Sequence, residues 1–165
     1  MRRRGVTLLE LMIALALLAI VASLALPPFA GAAQRTRLKA AAETLAADLA
    51  SARFEAAQRG LPVYLKFGAG PGWCWSVATS PGCACASQQA CQIKSERGAD
   101  HPGIELLKAG DARIDPAGPA DGSIGAAFQT ARGERLQVDL SALGRASICA
   151  PAAPVAGYPA CSNRP

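Results

Sequence analysis

Arg2, Arg3 and Arg4 stop at Gly5, and the chain then runs apolar from Val6 to Phe29, interrupted only by Thr7, Ser23 and one acid, Glu10. Those 24 residues would form a helix ~36 Å long at about 1.5 Å per residue, against a bilayer hydrocarbon core of about 30 Å. Nothing else in the sequence constrains the fold so strongly. Basic residues stay on the cytoplasmic side of a membrane. Everything beyond the span is therefore expected on the far side, with the amino terminus in the cytoplasm.

Glu10 is the residue in this run that needs a reason. A carboxylate within a membrane helix is costly, and an intramembrane acid is by default a functional group seeking a partner. Alone, it would snorkel to the interface or take up a proton. No cation lies near it in the span. A cut after Gly5 would create one: the new amino group of Val6. Glu10 would then be the fifth residue of the shortened chain, able to pair with the amine of a neighbouring copy.

The stretch Gly5-Val6-Thr7-Leu8-Leu9-Glu10-Leu11 resembles the amino-terminal signature of type IV pilins and pseudopilins. That resemblance implies cleavage after Gly5 by a prepilin peptidase, methylation of Val6, and use of Glu10 to guide filament assembly. Pro27 falls where helices of that family commonly carry a proline, and Pro27 with Pro28 is expected to interrupt the helix at the bilayer exit. The rival reading is a secretory signal peptide cut near Ala30-Gly31-Ala32. Against it, the apolar run from Leu8 to Leu26 is 19 residues, longer than the usual 7–15, and Glu10 would have no purpose there.

Net charge is +5, but three of those positives are the leader arginines, leaving +2 once they are removed. A basic balance of that size does not point to nucleic acid. Six cysteines in a domain exported past a membrane favour disulfides over thiols or metal. Cys74, Cys83, Cys85, Cys91, Cys149 and Cys161 can pair in 15 ways, and spacing does not choose among them. Cys161 could tie the tail to Cys149. With only 5% aromatic residues the core is expected to be modest and the bridges to matter for stability.

Four segments are expected: a leader over 1–5, a transmembrane helix over 6–29, an amphipathic helix over 30–60, and a disulfide-stabilised β domain over 61–165. In the second helix Leu38, Ala41, Leu45, Leu49, Ala52 and Ala56 recur at three- and four-residue steps. Glu43, Asp48 and Glu55 interleave with the basic residues, so no face of one sign develops. Gly60 and Pro62 should end the helix. Leu61 to Phe67 and Gly72 to Thr79 read as a hairpin across the turn Gly68–Gly72. Ser80 to Arg97 reads as a polar, cysteine-rich loop, without a common zinc spacing. Ile104 to Leu107 and Arg113 to Ile114 are weak strands about a Lys108–Gly110 turn, and Pro116 to Gly125 a mobile loop. Phe128 to Leu140 reads as a hairpin turning at Gly133, with Leu136, Val138 and Leu140 inward. Gly144 to Cys149 would be the last strand.

Phe128, Gly133, Gly144 and Arg145 resemble places in the family of type II secretion protein H and FimT-like pilins. The fold class implied is α+β: a long amino-terminal helix packed on a carboxy-terminal antiparallel sheet domain. The role implied is that of a minor pseudopilin or minor pilin of the bacterial inner membrane. Its partners would be other pilins, the inner-membrane assembly platform and the prepilin peptidase. FimT-like members carry a terminal Gly-Arg-x-Arg whose arginines contact DNA; Arg145 fits the first, while Ser147 stands at the second. Arg132, Arg135 and Arg145 are accordingly candidate DNA contacts forming a small basic patch, diluted by Glu134 and Asp139, and Arg164 could join it from the tail. Catalysis is not expected, nor any cofactor or metal. The sole histidine, His101, reads as a solvated loop residue, and no Gly-x-Ser-x-Gly, His-Glu-x-x-His or Walker loop occurs.

Overall fold

The computed structural model describes residues 7–117, 120–121, 124–141 and 144–161, together with their side chains except at 24–30, 120, 121 and 124. The leader residues, Gly5, Val6 and Arg164 lie outside the described residues. The chain divides into two compact units, Met1–Ala33 and Gln34–Pro165. One helix, α1 (Leu8–Arg59), supplies most of the first unit and begins the second. The expected interruption at Pro27 and Pro28 does not occur, since α1 is assigned continuously through them. Each proline removes one N–H from the ladder.

In the first unit, among the described residues, no helix is long and apolar enough to cross a membrane.

In the second unit, Leu38, Ala41, Leu45, Leu49, Ala52 and Ala56 are fully buried, as their spacing predicts. Ala42 joins them, and so does Asp48. Asp48 is not the surface acid that the charge pattern suggests. One of its oxygens accepts from the Trp75 indole N–H at 2.8 Å and the other pairs with the Lys94 ammonium. A buried charge demands such partners, because burying it unpaired costs several kcal/mol. The helix ends at Gly60, whose φ of 65° suits a left-handed cap, and Pro62 follows.

Among the described residues nine strands follow, all paired antiparallel within two sheets. The first sheet runs in the order β3 (Gln92–Arg97), β2 (Cys74–Ala78), β1 (Val63–Gly68), β5 (Ala112–Ile114), β6 (Ala120–Asp121). The second runs β4 (Ile104–Lys108), β7 (Ile124–Thr130), β8 (Arg135–Leu140), β9 (Ala146–Cys149). The expected hairpins form: β1 pairs with β2 from Tyr64↔Ala78 to Gly68↔Cys74, and β7 pairs with β8 around Gly133. Leu136, Val138 and Leu140 are buried.

Three expectations change. The polar loop of residues 80–97 ends in an edge strand, β3, which pairs with β2 through a bulge at Val77/Ala78. An edge strand needs only one partner and can be mostly polar, which hides QIKSER from a periodicity reading. The Lys108–Gly110 segment does not close a hairpin; it carries the chain from the second sheet to the first, with β4 on β7 and β5 on β1. Within the loop expected at 116–125, Ala120–Asp121 pairs with β5.

Every residue of β2 is buried. Alternation sends Trp75 and Val77 into the shared core with α1 and leaves Cys74, Ser76 and Ala78 on the opposite face. That face is covered by the segment pinned through the Cys74–Cys85 and Cys83–Cys91 disulfides. The third bridge is Cys149–Cys161. The two sheets meet at an aromatic cluster. Trp73 stacks on Trp75 at 5.6 Å, and Phe128 of β7 lies 5.6 and 5.8 Å from the two rings. His101 belongs to this cluster and is not solvated. It is buried, stacks on Trp73 at 5.9 Å, and its Nε2 lies 3.1 Å from a Glu96 oxygen. The stacking and the acid replace the water that an isolated His-Pro in a loop would be expected to find.

The tail after β9 folds back along its own strand end. Ala150 bonds with Pro159 and Cys161 backbone groups, and Val155 is buried. The Tyr158 hydroxyl donates to Glu43 on α1, and the Lys39 ammonium stands 5.6 Å above the Tyr158 ring. Partial burial, then the Glu43 hydrogen bond and charge, push the Tyr158 phenol up to about 12.

Two expected outcomes follow from this packing. A Cβ at Gly98 would stand 2.8 Å from the Trp73 ring. Gly98→Ala should therefore lower unfolding free energy by about 1–3 kcal/mol, measured by denaturant titration of residues 34–165. Gly72→Ala, which meets open space, should change it by less than about 0.5 kcal/mol. Tyr158 holds its proton more tightly when folded, so its contribution is complete below the ordinary value of 10.0 and disappears as pH rises through about 12. Stability of the parent chain should fall across that window more steeply than that of Tyr158→Phe.

Candidate assembly site

The first turn of α1 is built by a local sequence signal. Thr7 precedes the helix, and its hydroxyl accepts the Glu10 N–H at 3.2 Å while its carbonyl accepts the Leu11 N–H at 3.1 Å. Thr7-Leu8-Leu9-Glu10 has the Ser/Thr-x-x-Glu form of a capping box, in which the first residue closes the helix start and the fourth is an acid. The Thr-x-x-Glu spacing in the sequence is itself the signal of this role for Thr7. It fixes Glu10 in the turn where backbone N–H groups lack helical partners, the positive end of the helix dipole, which favours a carboxylate by about 0.3–1 kcal/mol.

Beyond Glu10 the surface is apolar on all sides. The large apolar side chains from Leu8 to Val21 are 52% to 77% exposed. Ser23 spends its hydroxyl on the Ile20 carbonyl at 2.7 Å and so presents no free donor. A fully exposed helix of Leu, Ile, Met and Ala is not a soluble surface; lipid or other apolar helices must cover it. Glu10 is the one charged side chain from Thr7 to Ser23. The arrangement is an apolar rod with a single acid at its capped end, a geometry suited to pairing with a cation in an apolar environment.

The candidate basic residues do not form one patch. Arg132 and Arg135 are exposed beside the β7–β8 turn, where Arg135 donates to Gln129 at 2.5 Å. Arg145 precedes Ala146, which pairs with Leu140 at the other end of β8. Leu140 lies five residue steps along β8 from Arg135, about 16 Å at roughly 3.3 Å per step. The arginines are not carried on neighbouring strands: Arg135 begins β8, Arg132 lies in the β7–β8 turn and Arg145 precedes β9, at the other end of β8. Glu134, expected to dilute them, is engaged by Arg35 of α1 at 2.6 Å. Asp139 instead accepts from Gln137 at 2.7 Å.

A hollow of about 520 Å³ opens beside β4 and the β1–β2 turn, lined in part by Pro71, Trp73, Glu105 and Leu107. Glu105 is its only titratable lining residue.

Residues 1–26 match the family model described as prokaryotic N-terminal methylation motif, and residues 41–144 match the model described as type II transport protein GspH. Among solved structures, two crystal forms of the type IV minor pilin FimU from Pseudomonas aeruginosa strain PAO1 share the fold. One is 18% identical over 69% of this chain and 97% of that one, with a TM-score of 0.51. The other is 19% identical over 71% and 94%, with a TM-score of 0.53. No curated protein matches.

Proposed function

Because the chain belongs to the type II transport protein GspH family, we propose that it is a minor pseudopilin or minor pilin, a structural subunit of a type II secretion pseudopilus or a type IV pilus and not an enzyme. A prepilin peptidase cuts after Gly5 and Val6 becomes the methylated amino terminus. The apolar half of α1 holds the protein in the inner membrane as a single span, with the second unit in the periplasm. The assembly platform then draws it out of the bilayer into a filament of other pilins.

The observation that carries this reading is the exposed apolar helix with one acid at its capped start. An uncompensated charge in lipid costs about 3 kcal/mol on insertion scales. A cation 4 Å away returns about 4 kcal/mol at an effective dielectric of 20. A neighbour's amino terminus therefore offsets the cost of Glu10, whereas lipid alone does not. The pairing selects the correct stagger between adjacent helices, because only one axial offset brings an amine to the acid.

A Glu10→Leu variant keeps the apolar rod and removes the acid. It should be cleaved normally, yet its share in sheared filaments or crosslinked secretion complexes should drop at least about tenfold, the effect of losing ~1.4 kcal/mol. Incorporation equal to that of the parent chain would contradict the proposal.

DNA capture outside the cell is a second role, favoured by the two exposed arginines at the β7–β8 turn. Its basis is narrower, since Arg145 stands apart from them and Ser147 occupies the other arginine place. If DNA is a ligand, residues 34–165 should retard duplex DNA at about 50 mM salt, and Arg145→Ala should weaken retardation and its salt dependence. No retardation at that salt would remove this role.

A further inference from the structure

The two disulfides of the first sheet cross in sequence. In the order Cys74, Cys83, Cys85, Cys91, the first pairs with the third and the second with the fourth. Four cysteines allow three connectivities, and the competitor that joins neighbours is Cys74–Cys83 with Cys85–Cys91. Its loops span 9 and 6 residues, against 11 and 8 in the folded domain. Closure scales as the three-halves power of loop length, so the unfolded chain favours the competitor about twofold. Cys83 and Cys85 are two residues apart, which places either thiol within reach of the same partner before β3 has formed.

Order of appearance adds to this bias. This part of the inference rests on the export proposed above: the domain crosses the membrane amino terminus first, and Cys74 and Cys83 are the first two thiols to meet an oxidant. Once made, the neighbour-joined pair is incompatible with the fold. The Cys85 sulfur belongs against Cys74, packed so closely that a Cβ on Gly68 would stand 2.8 Å from the Cys74 sulfur and 3.0 Å from that of Cys85. Buried Cys83 and Cys85 cannot exchange bridges without opening the covering segment.

We propose that this subunit is a client of a thiol–disulfide isomerase, which converts the neighbour-joined bridges to the crossed pair before assembly. The exchange is redox-neutral. The isomerase thiolate attacks one sulfur of the Cys74–Cys83 bridge, forming a mixed disulfide with Cys74 and releasing the Cys83 thiolate. Cys83 attacks the Cys91 sulfur of the Cys85–Cys91 bridge and frees the Cys85 thiolate. Cys85 then attacks Cys74, which restores the isomerase thiolate and completes both native bonds. No electrons enter or leave. The third bridge, Cys149–Cys161, joins sequence neighbours and needs no such step.

The test is production of the full chain in bacterial hosts with and without a periplasmic disulfide isomerase. Free thiols are trapped by alkylation and the bridges are mapped by mass spectrometry. Without the isomerase, the Cys74–Cys85 and Cys83–Cys91 peptides should fall at least threefold, with Cys74–Cys83 and Cys85–Cys91 peptides in their place. In the double variant Cys83→Ser, Cys91→Ser, the remaining cysteines pair with sequence neighbours, so its Cys74–Cys85 yield should be the same in both hosts. Native bridges in equal yield without the isomerase would overturn the inference, and so would an equal dependence in the double variant. Six alkylated thiols in both hosts would overturn the proposed export, and this inference with it.

Discussion

An apolar helix left in the open, with one carboxylate fixed at its start, is the constraint on which the rest of this molecule depends. From Leu8 to Val21 the large side chains find no cover in the chain that carries them. Such a surface is stable only in lipid or among other apolar helices. Glu10 narrows the choice further, because lipid covers methylene groups but does not answer a charge. The Thr7 cap fixes the turn that carries the acid, and in the function proposed above an amine on a neighbouring helix completes the pairing. Filament assembly in this account is the mutual burial of such rods, with Glu10 setting their offset.

The second unit has its own core. Both tryptophans sit in one place, where Trp73, Trp75, His101 and Phe128 join the two sheets. Asp48 fixes α1 to the same place through the Trp75 indole. A buried carboxylate is a weak source of net stability, but removal of either partner leaves the other unsatisfied. It therefore serves to define how the helix sits on the sheet. Elsewhere the small core is supported by covalent bonds: two bridges secure the cover over β2, and the third holds the tail beside β9.

Much of this architecture is legible in the sequence where one periodicity acts alone. The stripe from Leu38 to Ala56, the stop at Gly60, the β1–β2 hairpin, and the inward Leu136, Val138 and Leu140 all follow from spacing and turn residues. Features set by distant partners are not legible in that way. Asp48 looks like a surface acid until Trp75 and Lys94 are placed beside it. His101 looks solvated until Trp73 stacks on it. Gln92–Arg97 has no strand signal because its pairing is supplied by β2, and the segment at Lys108–Gly110 gives no sign that it changes sheets. At the candidate site, the signature around Gly5 and Glu10 was plain, and the Thr7 cap was written in the same residues. The scatter of the arginines was hidden because it depends on strand register, which composition does not encode.

The central claim is that Glu10 acts on an amine created by proteolysis. Intact mass and amino-terminal sequencing of the protein extracted from its native membrane test it most directly. The account predicts a chain that begins at methylated Val6. A chain that retains Met1 to Gly5 would contradict it, as would one that begins near Ala33.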